Sequence, residues 1–229
     1  MAKRRNKVEG SEEVIVQGVN QTSSDQDFFE KNRNLVIAAI AGLLLLVGGY
    51  LIYKFMIQEP KEIEARAAIY KAEQQFARDS FALALENPGG GFDGLLDIID
   101  NYSGTKTANL AKLYAGISYL NLGRFDDAIS YLENHSPAGA YSPILKNGNL
   151  GDAYSEKGDL DQAISFYEKA TQTDDALLTP YYLYKLGLLA KRNGDSNKAL
   201  TAFKKIKDDF GSSNEANNIE ALISSVSSS

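Results

Sequence analysis

From Leu35 to Tyr53 the chain reads LVIAAIAGLLLLVGGYLIY, 19 residues without a charge, bounded by Arg33 and Lys54. A helix of that length rises roughly 28 Å, close to the hydrocarbon thickness of a bilayer. The pattern therefore predicts one transmembrane helix, with the anchor running over residues 35–56. The triplet Ala39-Ile40-Ala41 is small-x-small but lies inside the apolar run, where signal cleavage does not occur. Tyr50, Tyr53 and Phe55 gather at the far end, where amphipathic rings favour the boundary between lipid and water. Upstream, residues 1–24 show no apolar period and predict a disordered basic and polar tail. Residues 25–34, with Ser24 as N-cap and Phe28-Phe29 behind it, predict a juxtamembrane helix start, either lying at the membrane surface or forming an extra turn of the spanning helix.

Beyond the anchor the apolar positions take a helical period and then repeat. Gly116-Ile117-Ser118-Tyr119 precedes Gly123, Ala128, Ile129 and Leu132; Gly151-Asp152-Ala153-Tyr154 precedes Gly158, Ala163, Ile164 and Tyr167; Gly187-Leu188-Leu189-Ala190 precedes Gly194, Ala199, Leu200 and Phe203. The first glycines are spaced by 35 and 36 residues, and so are the alanines. Gly116, Gly151 and Gly187 on one helix, with Ala128, Ala163 and Ala199 on the next, allow the two to cross closely. Gly123, Gly158 and Gly194 stand where a left-handed residue ends the first helix. A period near ~34 with these landmarks resembles the tetratricopeptide repeat, over about 109–142, 144–178 and 180–213.

A less regular unit precedes the three. Residues 61–86 carry an apolar face (Ile63, Ala67, Tyr70, Ala77, Phe81) and predict one long helix ended by Asn87-Pro88-Gly89-Gly90-Gly91. Residues 92–102 copy the spacing of Leu200, Phe203, Ile206 and Phe210, with Gly91 in the small position. Together 61–103 form a degenerate helix pair. Repeats and a capping helix, Asn214–Val226, occupy 104–226, and 227–229 is a frayed end. The expected fold is all-α: a single N-terminal transmembrane helix, then a tetratricopeptide-type α-solenoid of about three clear repeats with the degenerate pair before them and the capping helix after.

Composition narrows the chemistry. The 229 residues include no cysteine and one histidine, which excludes disulfides, thiolate or multi-histidine metal centres, a Cys nucleophile and a lipoprotein anchor. A net charge of −6 argues against nucleic acid as a partner. Gly89-Gly90-Gly91 lacks the Lys-Ser/Thr of a phosphate loop, and His135 has no second ligand or triad partner. Asp126-Asp127, Asp174-Asp175 and Asp208-Asp209 read as capping or solvated groups. The chain is accordingly expected to be no enzyme, to carry no cofactor or metal and to take no small-molecule substrate. Counted from the repeat glycines, the groove-facing positions of the first helices are Leu110, Leu113, Ile117 and Leu120; Leu145, Asp152 and Ser155; and Tyr181, Tyr184, Leu188 and Lys191. The set is apolar enough to need a cover, either a partner polypeptide or the helix 61–86.

Lys3, Arg4, Arg5, Lys7, Lys31 and Arg33 sit on the short flank of the anchor, which the positive-inside rule places in the cytoplasm with the large domain outside. Phe28-Phe29-x-x-Asn32, a span beginning at Leu35, a helix with Ala67, Ala68, Tyr70 and Ala72, and then repeats together resemble the YfgM-like ancillary subunit of the bacterial SecYEG translocon. That resemblance implies a single-pass protein of the bacterial inner membrane, N-terminus in the cytoplasm, whose periplasmic repeats contact the translocon and periplasmic chaperones. The head here is longer than that family's, and the repeats are better formed. A membrane-tethered scaffold for envelope assembly or cell division, or an organelle import receptor, are the alternatives, because fold does not fix function.

Overall fold

The computed structural model describes residues 30–228. The basic tail of residues 1–24, Phe28-Phe29 and the last residue of the frayed end lie outside the described residues. The chain divides into two compact units, Met1–Ile57 and Gln58–Ser229.

In the first unit, helix α1 (Arg33–Tyr53) has no buried residue. Leu45 and Leu46 are 78% and 75% exposed. By length and composition this N-terminal helix is long and apolar enough to cross a membrane. The segment Lys54–Gln58 that follows is π-helical.

The described residues of the second unit are helical, without strands. Helix α2 (Glu59–Phe76) carries Pro60 in its first turn, where a missing N–H costs nothing. The single helix expected over 61–86 is in fact two. α2 stops at Phe76, Asp79 turns left-handed at φ 56°, and α3 (Phe81–Glu86) restarts behind Ser80. The break is sealed by Ser80 N–H donating to the Gln75 carbonyl at 2.9 Å and by edge-to-face packing of Phe76 on Phe81 at 5.6 Å. Helix α4 (Leu95–Asn101) is likewise shorter than the expected 92–102. Phe92 is 48% exposed, and Gly91 lies in the turn at φ 74°. The small position is filled by Gly94 instead, whose missing Cβ would collide with the backbone of Leu85.

Three helix pairs follow: α5 (Lys106–Asn121) with α6 (Phe125–Glu133), α7 (Tyr141–Glu156) with α8 (Leu160–Ala170), and α9 (Leu178–Arg192) with α10 (Ser196–Asp209). A 3₁₀ turn, Asn214–Asn218, leads into α11 (Ile219–Ser227), so the expected capping helix begins only halfway along its range. A Cβ on Gly116 would stand 2.5 Å from Leu132 Cγ, and one on Gly151 would stand 2.6 Å from the Tyr167 ring; Gly187 meets Phe203 closer still. Ala128, Ala163 and Ala199 are fully buried. Gly158 and Gly194, both at φ 81°, end α7 and α9. The residue after each is an aspartate that caps the next helix: Asp159 accepts from Gln162 N–H and Asp195 from Lys198 N–H. The first pair has Arg124 there and no such cap.

Candidate partner-binding groove

The first helices of the pairs, α5, α7 and α9, share one face of the solenoid. Between them lies a cleft of ≈ 850 Å³ lined by Leu120 and Asn121 of α5, Asn149, Asp152, Ser155 and Glu156 of α7, and Tyr181, Lys185, Leu188, Leu189 and Arg192 of α9. Gly123, Phe125 and Tyr167 complete it. Successive first helices turn residues spaced by seven and four toward the same side, which is why Tyr181, Lys185, Leu188 and Arg192 appear together.

Its floor is polar and internally paired. Asp152 Oδ1 accepts from the Tyr167 hydroxyl at 2.5 Å and from Lys185 Nζ at 2.7 Å. Lys185 also lies over the Tyr181 ring, its Nζ 4.6 Å from the centroid. The side chains of Asp152 and Lys185 are 21% and 29% exposed, so water screens the pair weakly. Burial lowers the Lys185 pKa, but the Asp152 charge and the hydrogen bonds to Asp152 and Tyr181 outweigh it, and the ammonium titrates above its ordinary value. Burial, then the neighbouring carboxylate, pushes the Tyr167 hydroxyl far up, and Tyr182 follows for the same reasons. All three groups hold fixed protonation states at neutral pH, as a recognition surface requires. The walls differ from the floor: Tyr181 and Leu188 are 42% and 39% exposed.

The expected groove residues separate into four groups. Leu120, Asp152, Ser155, Tyr181 and Leu188 line the cleft. Leu113 belongs to the core at 3% exposure, so it is no groove residue; Ile117 and Leu145 are half-buried against the same apolar cluster, and Tyr184 against that of the later repeats. Lys191 is exposed at the rim and donates to Ser225 Oγ of α11 at 2.8 Å. Leu110 lines a second, smaller cleft of ≈ 320 Å³ with Glu62, Arg66, Ile69, Glu73, Lys106 and Thr107. The groove is thus less apolar than the sequence pattern implied, since half of the apolar positions turn inward.

Helix α2 packs along α5: Glu62 meets its first residues, Lys106 and Thr107, and Phe76 meets Tyr114 midway along it at 4.7 Å. No residue of α2 or α3 lines the larger cleft. Of the two covers considered for the groove, the helix 61–86 therefore takes the Leu110 end and leaves the Asp152 end open.

His135 is 3% exposed, wedged between the first two pairs. Its Nδ1–H donates to the Asn109 carbonyl at 2.8 Å, so Nε2 accepts from the Ser142 hydroxyl at 2.6 Å. Burial, and then the charges of Lys146 and Lys112, outweigh the Asn109 hydrogen bond and hold its pKa below the ordinary value. The residue is a bridge between repeats. Among the described residues, no three His, Asp or Glu side chains stand close enough to hold a metal ion.

Lys185, Tyr167 and Asn149 were absent from the expected site. One signal pointed to them: Asp152 occupies the position of Ile117 and Leu188, and a carboxylate replacing an apolar residue calls for a cation from the neighbouring repeat.

Comparison with known proteins agrees with this geometry. Residues 147–176 match one tetratricopeptide repeat family model, and residues 110–134 and 181–213 match a second. No curated protein matches the sequence. Two crystal structures of the kinesin-light-chain-like, nearly identical TPR-like repeats of Podosopora anserina, one of them a Q17M variant, superimpose with a TM-score of 0.55 at 13% identity. They cover 72% of this chain and 85% or 86% of their own. At that identity the likeness concerns the fold. The chain carries tetratricopeptide repeats in an all-helical solenoid, the architecture of a protein–protein interaction scaffold.

Proposed function

We propose that this chain is a membrane-anchored, non-enzymatic docking protein that holds a polypeptide segment of its partner in the cleft between α5, α7 and α9. The observation that carries this reading is the cleft itself: a fixed, ion-paired floor flanked by the exposed Tyr181 and Leu188, with neither α2 nor α3 across it. Aromatic and apolar side chains standing beside satisfied polar groups supply contact area with little ordering cost, and such residues dominate interfaces. The exposed helix α1 supplies the anchor. The short basic flank favours an N-terminus in the cytoplasm. With that orientation and the YfgM-like order of elements, the translocon and periplasmic chaperones are the partners this reading assigns, at the inner membrane.

A photo-crosslinking residue at Tyr181 or Leu188 in the full chain in cells should capture a discrete partner, and the same residue at Lys204 on α10 should not. Identification of translocon or chaperone subunits in the Tyr181 adduct supports the assignment. Equal adducts from all three positions would sink the docking role, and a discrete adduct without those subunits would sink the partner assignment alone.

A further inference from the structure

The face of α2 turned away from the solenoid is patterned for another helix. Ala65, Ile69 and Ala72 are buried in the core, whereas Ile63 and Tyr70 are 67% and 58% exposed, with the exposed Ala67 between them. At 3.6 residues per turn, Ile63, Ala67 and Tyr70 lie within about 60° of arc, opposite the buried side. Gln74 extends the stripe and donates to the Tyr70 hydroxyl at 2.6 Å, holding the ring upright along it. Glu64, Arg66 and Lys71 flank the stripe on both sides. An amphipathic helix that lies in a lipid surface presents a broad apolar face, about 100° or more, while a narrow seam spaced by seven is the form of a helix–helix contact.

We infer that α2 pairs with α2 of a second copy of this chain, in parallel, through Ile63, Ala67 and Tyr70. This rests on the membrane anchor proposed above. α2 begins six residues after α1 ends, so two copies anchored in one bilayer both start α2 within a short stretch of chain from the membrane, N-terminus first. A parallel two-fold contact then places each stripe residue against itself, Ala67 allows close approach, and Ile63 and Tyr70 pack above and below it. Stable dimers in solution bury about 800 Å² per partner, which three side chains do not reach. Pairing consequently depends on the anchor, which confines two copies to one plane and raises their effective concentration.

The absence of native cysteine makes the test clean. Single cysteines are placed at 63, 64, 67, 70 and 71 in the full-length chain, and membranes are treated with a short bis-maleimide. Carbonate extraction of the same membranes reports the anchor separately. Dimer bands at 63, 67 and 70, several-fold above those at 64 and 71 and lost on dilution into detergent, are expected. Adding Ile63→Glu should abolish crosslinking at 67 while leaving the helical circular dichroism unchanged. Uniform crosslinking at all five positions would mean collision alone and overturns the pairing. Absent crosslinks at a residue shielded from maleimide only in the membrane would assign the stripe to lipid or to another protein, which also overturns it. Protein released by carbonate would overturn the anchor as well.

Discussion

Gly148 shows how much of the packing is decided by single atoms. It sits one helical turn before Gly151 on α7, and a Cβ there would lie inside the Tyr182 ring of the next repeat. Gly148→Ala should therefore force that ring out of the core and cost roughly 1–3 kcal/mol through overpacking. Gly151→Leu should cost at least as much, because its Cβ already meets the Tyr167 ring. Lys157→Ala, which removes only the exposed ion pair with Asp126, should leave the melting temperature unchanged. Thermal melts of the three variants check this, and equal melting temperatures would contradict the helix register. Gly151 was legible in the sequence because Gly116 and Gly187 repeat it. Gly148 was not: the equivalent positions are Leu113 and Tyr184, so no pattern marks it, and the reason for it lies in the neighbouring repeat. Asp152 falls between these cases, visible as a break in the pattern but without its partner Lys185.

At the scale of elements, two junctions depend on titratable groups. Glu62 of α2 reaches the start of α5, where Oε2 accepts from Lys106 N–H at 2.7 Å and Oε1 from the Thr107 hydroxyl at 2.9 Å. It thus caps α5 alongside Thr105, whose hydroxyl accepts from Ala108 N–H at 3.0 Å, at the positive end of the dipole. Burial raises its pKa, but hydrogen bonds from Arg66, Thr107 and Lys106 outweigh this, and the carboxyl titrates below its ordinary 4.5. A lowered carboxylate contributes stability above 4.5 that is lost as pH falls through the folded value. The deficit of Glu62→Gln relative to the parent should then be full at pH 6 and shrink toward pH 3, as read from denaturant melts. His135 also acts on the acid side, in a higher pH window. Its pKa is depressed from 6.5, so the unfolded chain binds a proton that the folded protein resists, and stability should decline as pH drops from 7.5 through 6.5 toward the folded value. His135→Gln should flatten that slope; an unchanged slope would remove the buried-histidine account. The sequence showed both helices that Glu62 joins but not the contact, which spans more than forty residues. It also concealed the stop at Phe76, because Asp79 rather than a glycine takes the left-handed turn. An aspartate tolerates that conformation without advertising it.

For the whole molecule the question is whether the anchor or the groove carries the association. The sequence displayed the apolar helix and the repeat period plainly, since each depends on long runs of residue type, whereas the groove's contents required knowing which apolar positions turn inward. Leu113, Ile117, Leu145 and Tyr184 are held by the core, so substituting them confounds binding with stability. Tyr181 and Leu188 are exposed, lie seven residues apart on one helical face, and flank the paired Lys185. A partner segment crossing both would gain ~25 cal/mol per Å² of apolar surface removed from water, less its ordering cost. Tyr181→Ala with Leu188→Glu should therefore abolish recovery of the partner from solubilised membranes, with melting temperature and helical content retained. Removal of residues 1–57 should weaken recovery through lost local concentration but leave the crosslink from Tyr181 intact at high protein concentration. The reverse pattern, with recovery unaffected by the double substitution and abolished by the deletion, would place the association in α1 and leave the groove without a role in it.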